Sequence, residues 1–196
     1  MQRLFGRKKL LIISGPTACG KTTFRKSLQI DQRPELTQMI LDKAFSRDSS
    51  CIKTLRMKAF RRRFYKGKGF RSLTKDCFNF LFELDTTCPL TTQNLILFPA
   101  LLKEFDKVVV VHNYLPIDVW IERIMERRLV GFKTSKYVNK IVALQESSAA
   151  KSISTRVYCR DCYSNFERFF NGLGVKDQLC INTTDSVSFA RPYPFD

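Results

Sequence analysis

The apolar run Leu10-Leu11-Ile12-Ile13 lies between a cationic stretch and a glycine-bounded loop. An unbroken run of this length suits a strand buried on both faces, so residues 9–14 are predicted as the first strand and 20–30 as the helix after it. Gln38-Met39-Ile40-Leu41 is a second short apolar run and predicts a strand ending at Asp42. Residues 51–65 and 72–84 predict helices, separated by the Lys66-Gly67-Lys68-Gly69 break. Asn94-Leu95-Ile96-Leu97-Phe98 and Lys107-Val108-Val109-Val110-Val111-His112 predict the third and fourth strands. Pro116 suits the first turn of a helix running to about Leu129 and stopping near Gly131. Further helices are predicted over 135–150 and 160–171, and Gln178-Leu179-Cys180-Ile181 is a late strand. This alternation predicts an α/β sandwich: a mostly parallel five-stranded sheet flanked by helices. In such sheets ligands bind at the carboxyl ends of the strands, so the residues following each strand hold the candidate chemistry.

Composition narrows the class. The 196 residues suit one domain, and 44% hydrophobic content suits a folded chain. No apolar run approaches a membrane span. Arg3, Arg7, Lys8 and Lys9 ahead of Leu10 resemble the start of a signal peptide, but the apolar part is too short for one. Seven cysteines, an odd number, point to reduced thiols and a cytoplasmic setting. Cys159-Arg-Asp-Cys162 has the spacing of a metal or redox motif, yet a zinc site needs a second ligand pair and His112 is the only histidine. Buried or surface thiols are the simpler expectation.

The net charge of +16 is unevenly spread. Residues 51–75 hold ten lysines and arginines and no acid, with Phe60, Phe64, Tyr65 and Phe70 between them. Such a segment suits RNA, with aromatics stacking on bases, or an anionic surface or small anionic substrate. It also suits an amphipathic helix whose Ile52, Leu55, Ala59, Phe60 and Phe64 pack inward.

The most specific pattern is Gly15-Pro16-Thr17-Ala18-Cys19-Gly20-Lys21-Thr22, an ungapped G-x-x-x-x-G-K-[S/T]. Between a strand and a helix, its successive backbone N–H groups cradle phosphate oxygens. Lys21 reaches the β/γ-phosphates, the Thr22 hydroxyl suits Mg²⁺, and Thr23 lies on the following turn. At the other strand ends stand Asp42, then Phe98 where many NTPases carry an acid for Mg²⁺, then His112, then Asn182-Thr183. Arg123 and Arg127, four residues apart, share a helix face.

With these features the chain resembles the P-loop kinases of nucleotides and small molecules, and the 94–102 stretch is similar to that of chloramphenicol phosphotransferase-like kinases. The resemblance implies a single kinase-like domain over 1–196, with a basic helical insertion at about 51–84 and a lid-like region at about 123–137. It implies that Gly15 to Thr23, Asn182 and Thr183 hold a nucleoside triphosphate. Lys21, Asp42, Arg123 and Arg127 become the catalytic set: Lys21 and the arginines neutralise the transferred phosphoryl group, and Asp42 orients the acceptor hydroxyl. Thr22 and Asp42 become the Mg²⁺ ligands. The implied activity is transfer of the γ-phosphoryl of ATP to a small, anionic or nucleotide-like acceptor. The loop is also similar to that of tRNA dimethylallyltransferases, differing by one residue from G-P-T-A-S-G-K-T, which implies an RNA-modifying alternative. The absent acid at Phe98 leaves a third possibility, a degenerate nucleotide-binding module.

Overall fold

The computed structural model describes residues 7–28, 35–46, 51–68, 70, 77–84, 88–129, 139–143, 151–184 and 188–189. Their elements run β1 (Lys9–Ser14), α1 (Lys21–Ser27), α2 (Glu35–Phe45), β2 (Ile52–Leu55), α3 (Met57–Phe64), β3 (Asn79–Glu83), α4 (Thr92–Leu102), β4 (Lys107–Tyr114), α5 (Ile117–Leu129), a helical segment at 139–143, α6 (Lys151–Gly172), β5 (Asp177–Asn182) and β6 (Ser188–Phe189). The sheet order is β2-β3-β1-β4-β5-β6, and the first five strands are parallel. Only β6 pairs antiparallel, at the edge. The predicted α/β architecture with five parallel strands and flanking helices is therefore present.

Alternation along the strands divides the core. Leu10 and Ile12 of β1, Phe80 and Phe82 of β3 and Val110 of β4 face α4 and α6. Leu11, Ile13, Leu81, Val109 and Val111 face the opposite way, onto Phe24 of α1 and Ile40, Leu41 and Phe45 of α2. Central parallel strands are covered on both faces, which is why they read as continuous apolar runs. A third cluster packs α5 against α6 through Trp120, Ile124, Cys159, Cys162 and Tyr163 and reaches Ala18 in the loop after β1. No helix among the described residues is long and apolar enough to cross a membrane.

Several predicted elements change identity. The run at 38–41 is not a strand. It belongs to α2, where Thr37, Ile40, Leu41, Ala44 and Phe45 are buried and Met39 is 51% exposed, a helical stripe of period 3.6. The run at 94–98 likewise lies within α4. The Thr91 hydroxyl caps the start by accepting from the Asn94 N–H at 3.2 Å, and Asn94, Leu97, Phe98 and Leu101 form the buried stripe. Phe98 is thus a core side chain stacked edge-on with Phe82, Phe169 and Phe170, not a strand end. The second and third strands come instead from stretches predicted as helix, Ile52–Leu55 and Asn79–Glu83.

The segment 51–84 is consequently not an insertion, because it supplies two strands of the sheet. Of the residues expected to pack inward as one helix, Ile52 and Leu55 are strand residues and Ala59 is exposed. Phe60 is buried, stacked on Phe70 at 3.9 Å between ring centroids, and Phe64 lies parallel to Phe70 at 6.3 Å. Phe60 and Phe70 thus pack against one another and Phe64 is half-buried, while Tyr65 is the exposed aromatic of the group. Arg71 and Lys75 lie outside the described residues, as does the 130–137 part of the expected lid.

Candidate functional site

The loop between β1 and α1 is built from its glycines. Gly15 sits at φ +130° and Gly20 at φ +85°, and Ala18 also takes a positive φ of 71°. A Cβ at Gly15 would lie 2.4 Å from the Asn113 carbonyl oxygen, and one at Gly20 would lie 2.8 Å from the Thr183 hydroxyl. Only glycine meets both demands, close approach and left-handed backbone. The non-glycine Ala18 in this region is local strain of the kind that clusters at ligand-binding loops.

Two neighbours fix the loop from outside. The Trp120 indole N–H of α5 donates to the Thr17 carbonyl at 2.7 Å. Thr183, just past β5, donates through its hydroxyl to the Cys19 carbonyl at 2.6 Å and through its backbone N–H to Tyr114 O at 3.1 Å. Cys19 is fully buried, and burial raises its thiol above the ordinary range, so it packs as a protonated side chain under the loop. Asn182, by contrast, turns to its own chain, accepting from the Thr184 N–H at 3.0 Å and hydroxyl at 2.9 Å. Of the two strand-end residues predicted for β5, Thr183 is the one that touches the loop.

Lys21 is 6% exposed, and its ammonium donates to the Gly15 and Pro16 carbonyls at 2.8 Å each. The cation is thus held over the loop, where an incoming polyphosphate would meet it. Thr22 and Thr23 are exposed at the start of α1. The Thr22 hydroxyl donates to Glu83 Oε1 at 2.9 Å, and Arg25 Nε donates to Glu83 Oε2, also at 2.9 Å.

Glu83 was missed in the sequence. It ends β3, the strand paired with β1 on one side, in register with Ile13 two residues before the loop. The third strand of the chain is therefore β3, and it ends in an acid, whereas Phe98 lies within α4. The signal for Glu83 was the apolar, aromatic-rich run Phe80-Leu81-Phe82 ending in an acid, read as helix instead of strand. The hydroxyl–carboxylate pair of Thr22 and Glu83 fits Mg²⁺, which takes one or two protein oxygens and otherwise water and substrate phosphates. Among the described residues no group of three or more His, Cys, Asp or Glu side chains gathers that could hold a metal ion.

Asp42 is displaced from the site. It is exposed on α2 and accepts from Gln38 Nε2 at 2.8 Å. The carboxyl end of α2 is held by first residues of strands: Lys9 donates to Phe45 O, Lys107 to Lys43 O, and Lys43 pairs with Asp177 at 3.7 Å. Those strand starts form the sheet edge opposite the loop, about a strand length away, roughly 17–20 Å at about 3.3 Å per residue. Asp42 therefore joins neither the catalytic nor the Mg²⁺ set. Arg123 lies on α5 one turn after Trp120 and is half-buried; Arg127 follows one turn later and is exposed.

A cleft of about 570 Å³ opens beside the loop, lined by Thr22, Arg25, Thr54, Leu55, Arg56, Met57, Lys58 and Glu83. It lies at the carboxyl ends of β2 and β3, where the topology directs ligands. His112 is apart from it. It is buried in register with Ser14, with Nδ1 2.7 Å from the Ser14 hydroxyl and Nε2 2.8 Å from Gln178 Oε1. Burial lowers its pKa to about 4, only partly offset by the Gln178 contact, so it is a neutral packing residue. Cys159 and Cys162 are buried on α6, and desolvation pushes both thiols up to about 12, as suits packing groups.

Comparisons with known proteins add little to this geometry. No protein-family model matches the chain, and no curated protein matches it. Among solved structures the chain is similar to one described as a "putative kinase" from Chloroflexus aurantiacus, at 16% identity and a TM-score of 0.40, covering 68% of this chain and 74% of that one.

Proposed function

We propose that the chain is an ATP-dependent phosphotransferase that binds the triphosphate in the loop 15–22 and moves its γ-phosphoryl group to a small acceptor in the adjoining cleft. The observation that supports this reading is the Thr22–Glu83 pair, 2.9 Å apart at the mouth of a loop whose lysine is already held over its carbonyls. Phosphoryl transfer needs positioning and charge neutralisation more than covalent chemistry. Lys21 and the loop amides supply both on the β/γ-phosphates. Thr22 and Glu83 would hold Mg²⁺, which when bound neutralises charge on the same phosphates. Arg25, paired with Glu83, sets the carboxylate's direction. Arg123 and Arg127 remain proposals for the γ-phosphate side, since α5 touches the loop through Trp120 one turn before Arg123.

Two observations favour this over the alternatives. The degenerate-module reading drew on a missing acid, and Glu83 occupies a strand end beside the loop. The RNA-modifying reading drew on the loop's similarity to dimethylallyltransferases, with support from the basic segment; in that segment Phe60 and Phe70 are buried against each other and leave Tyr65 as the exposed ring. The test is to incubate the protein with Mg²⁺, ATP labelled at the γ-phosphate and a panel of nucleotides, sugars and their phosphates. The reading predicts label on a small molecule with wild type and none with Lys21→Ala. Label that never leaves ATP except as inorganic phosphate contradicts it.

A further inference from the structure

We propose that the acceptor is itself a phosphomonoester, and that Arg25, Arg56 and Lys58 receive its phosphate in the cleft beside Glu83. The inference rests on the phosphotransferase reading and specifies its acceptor.

The cleft has the volume of a small-ligand site, about 570 Å³. Among the described residues its charged lining is three cations, Arg25, Arg56 and Lys58, against one carboxylate, Glu83. That carboxylate is the one proposed above for Mg²⁺: Glu83 Oε1 accepts from Thr22 and Oε2 from Arg25. Among the described residues neither Arg56 nor Lys58 has an ion-pair partner, and both are exposed at the turn from β2 into α3. Two such cations at a strand end beside Arg25, with no ion-pair partner among the described residues, suit an anion.

The chemistry agrees with the charge. A hydroxyl acceptor needs a base to take its proton. Among the described residues lining the cleft no carboxylate is left for that task, and no histidine lines it. Asp42, the base expected from sequence, is at the opposite sheet edge. A phosphate monoester needs no base, because its second pKa is about 6 and its oxygen is already anionic at neutral pH. That oxygen attacks the γ-phosphorus. The bond from the γ-phosphorus to the β,γ-bridging oxygen breaks, the electron pair leaves with ADP, and a new phosphoanhydride forms with no proton transferred. Arg25, Arg56 and Lys58 offset the repulsion between the two anions as they meet. Thr22 lines the same cleft, so the acceptor phosphate faces the end of the loop where the γ-phosphoryl group would lie.

A single ligand pair tests this. Adenosine 5′-pentaphosphate carries two phosphates beyond the γ position, which would extend into the cleft, whereas ATP ends before it. Calorimetric titration of wild type with each, at equal Mg²⁺ and about 0.15 M salt, should show the pentaphosphate binding roughly tenfold to a hundredfold tighter. Using the same base in both ligands cancels any base preference. Arg56→Gln/Lys58→Gln, at exposed positions, should bring the affinity ratio close to one. Lys66→Gln/Lys68→Gln makes the same charge change outside the cleft and should leave the ratio as in wild type. A ratio near one in wild type overturns the acceptor assignment. So does a gain that survives Arg56→Gln/Lys58→Gln, or one lost equally in Lys66→Gln/Lys68→Gln. In all three cases ATP still binds and the phosphotransferase reading stands. Failure of ATP to bind wild type overturns both.

Discussion

Glu83→Gln isolates the charge of one carboxylate with little change of shape. The amide oxygen can still accept from Thr22, so the 2.9 Å contact has a replacement. What disappears is the negative charge available to a divalent cation and to Arg25. The Arg25–Glu83 pair is 27% and 20% exposed by side chain, and solvent screening limits its share of stability to about 1 kcal/mol or less. Folding should therefore hold. A charge-assisted contact is worth roughly 1.5–3 kcal/mol, so Mg²⁺–ATP affinity should fall about 10- to 150-fold. Metal-free ATP should behave oppositely, because removing a carboxylate beside the phosphates relieves repulsion; its affinity should hold or rise. The assay is calorimetry with ATP in Mg²⁺ and in chelator, on wild type and variant, with urea unfolding as a folding control. An Mg²⁺-to-chelator affinity ratio that is the same in both proteins refutes the assignment of Glu83 to the metal.

Three further outcomes are expected. Trp120 is the single tryptophan, and its indole N–H is bonded to Thr17 within the loop, so titration with ATP should change intrinsic fluorescence; an unaltered spectrum at saturation rejects the placement of nucleotide there. Gly20→Ala sets a Cβ 2.8 Å from the Thr183 hydroxyl at φ +85°, so it should strain the loop, disturb the Thr183–Cys19 bond and weaken ATP binding at least about tenfold; equal affinity in filter binding counts against the loop geometry. His112 is held near pKa 4 when folded against 6.5 when unfolded, so the unfolded chain binds the extra proton first; stability present above about pH 6.5 should be lost as pH falls toward 4, by about 3 kcal/mol in all. Urea unfolding across that window should show a steeper acid loss in wild type than in His112→Phe, and parallel curves would count against a buried neutral imidazole.

The legible parts of this chain were those with one physical reading. β1, β4 and β5 are apolar runs in central positions, and the loop after β1 has a spacing that few other structures require. The middle of the chain was not legible, because short apolar runs fit either period. Met39-Ile40-Leu41 and Leu95-Ile96-Leu97-Phe98 look like strands until the exposure of Met39, Leu95 and Ile96 shows a helical stripe. Pro99 reinforced the error, since it sits inside α4 where proline is normally a terminator. Ile52–Leu55 is an edge strand with Lys53 and Thr54 exposed, which blurs alternation and suits protection of a sheet edge. These exchanges took Asp42 away from the loop and set Glu83 at a strand end beside it. The sequence held the signal in an aromatic strand ending in glutamate, but the strand had to be placed next to β1 before the acid gained meaning.

The loop 15–22 is proposed to bind a triphosphate through Lys21, whose ammonium rests on two loop carbonyls at 2.8 Å. Titration of wild type and Lys21→Ala with Mg²⁺–ATP in a calorimeter addresses it directly. The account predicts measurable binding by wild type and a loss of about 10- to 150-fold in the variant, the size of one charge-assisted contact. Equal affinity in the two proteins, or none in wild type, contradicts it.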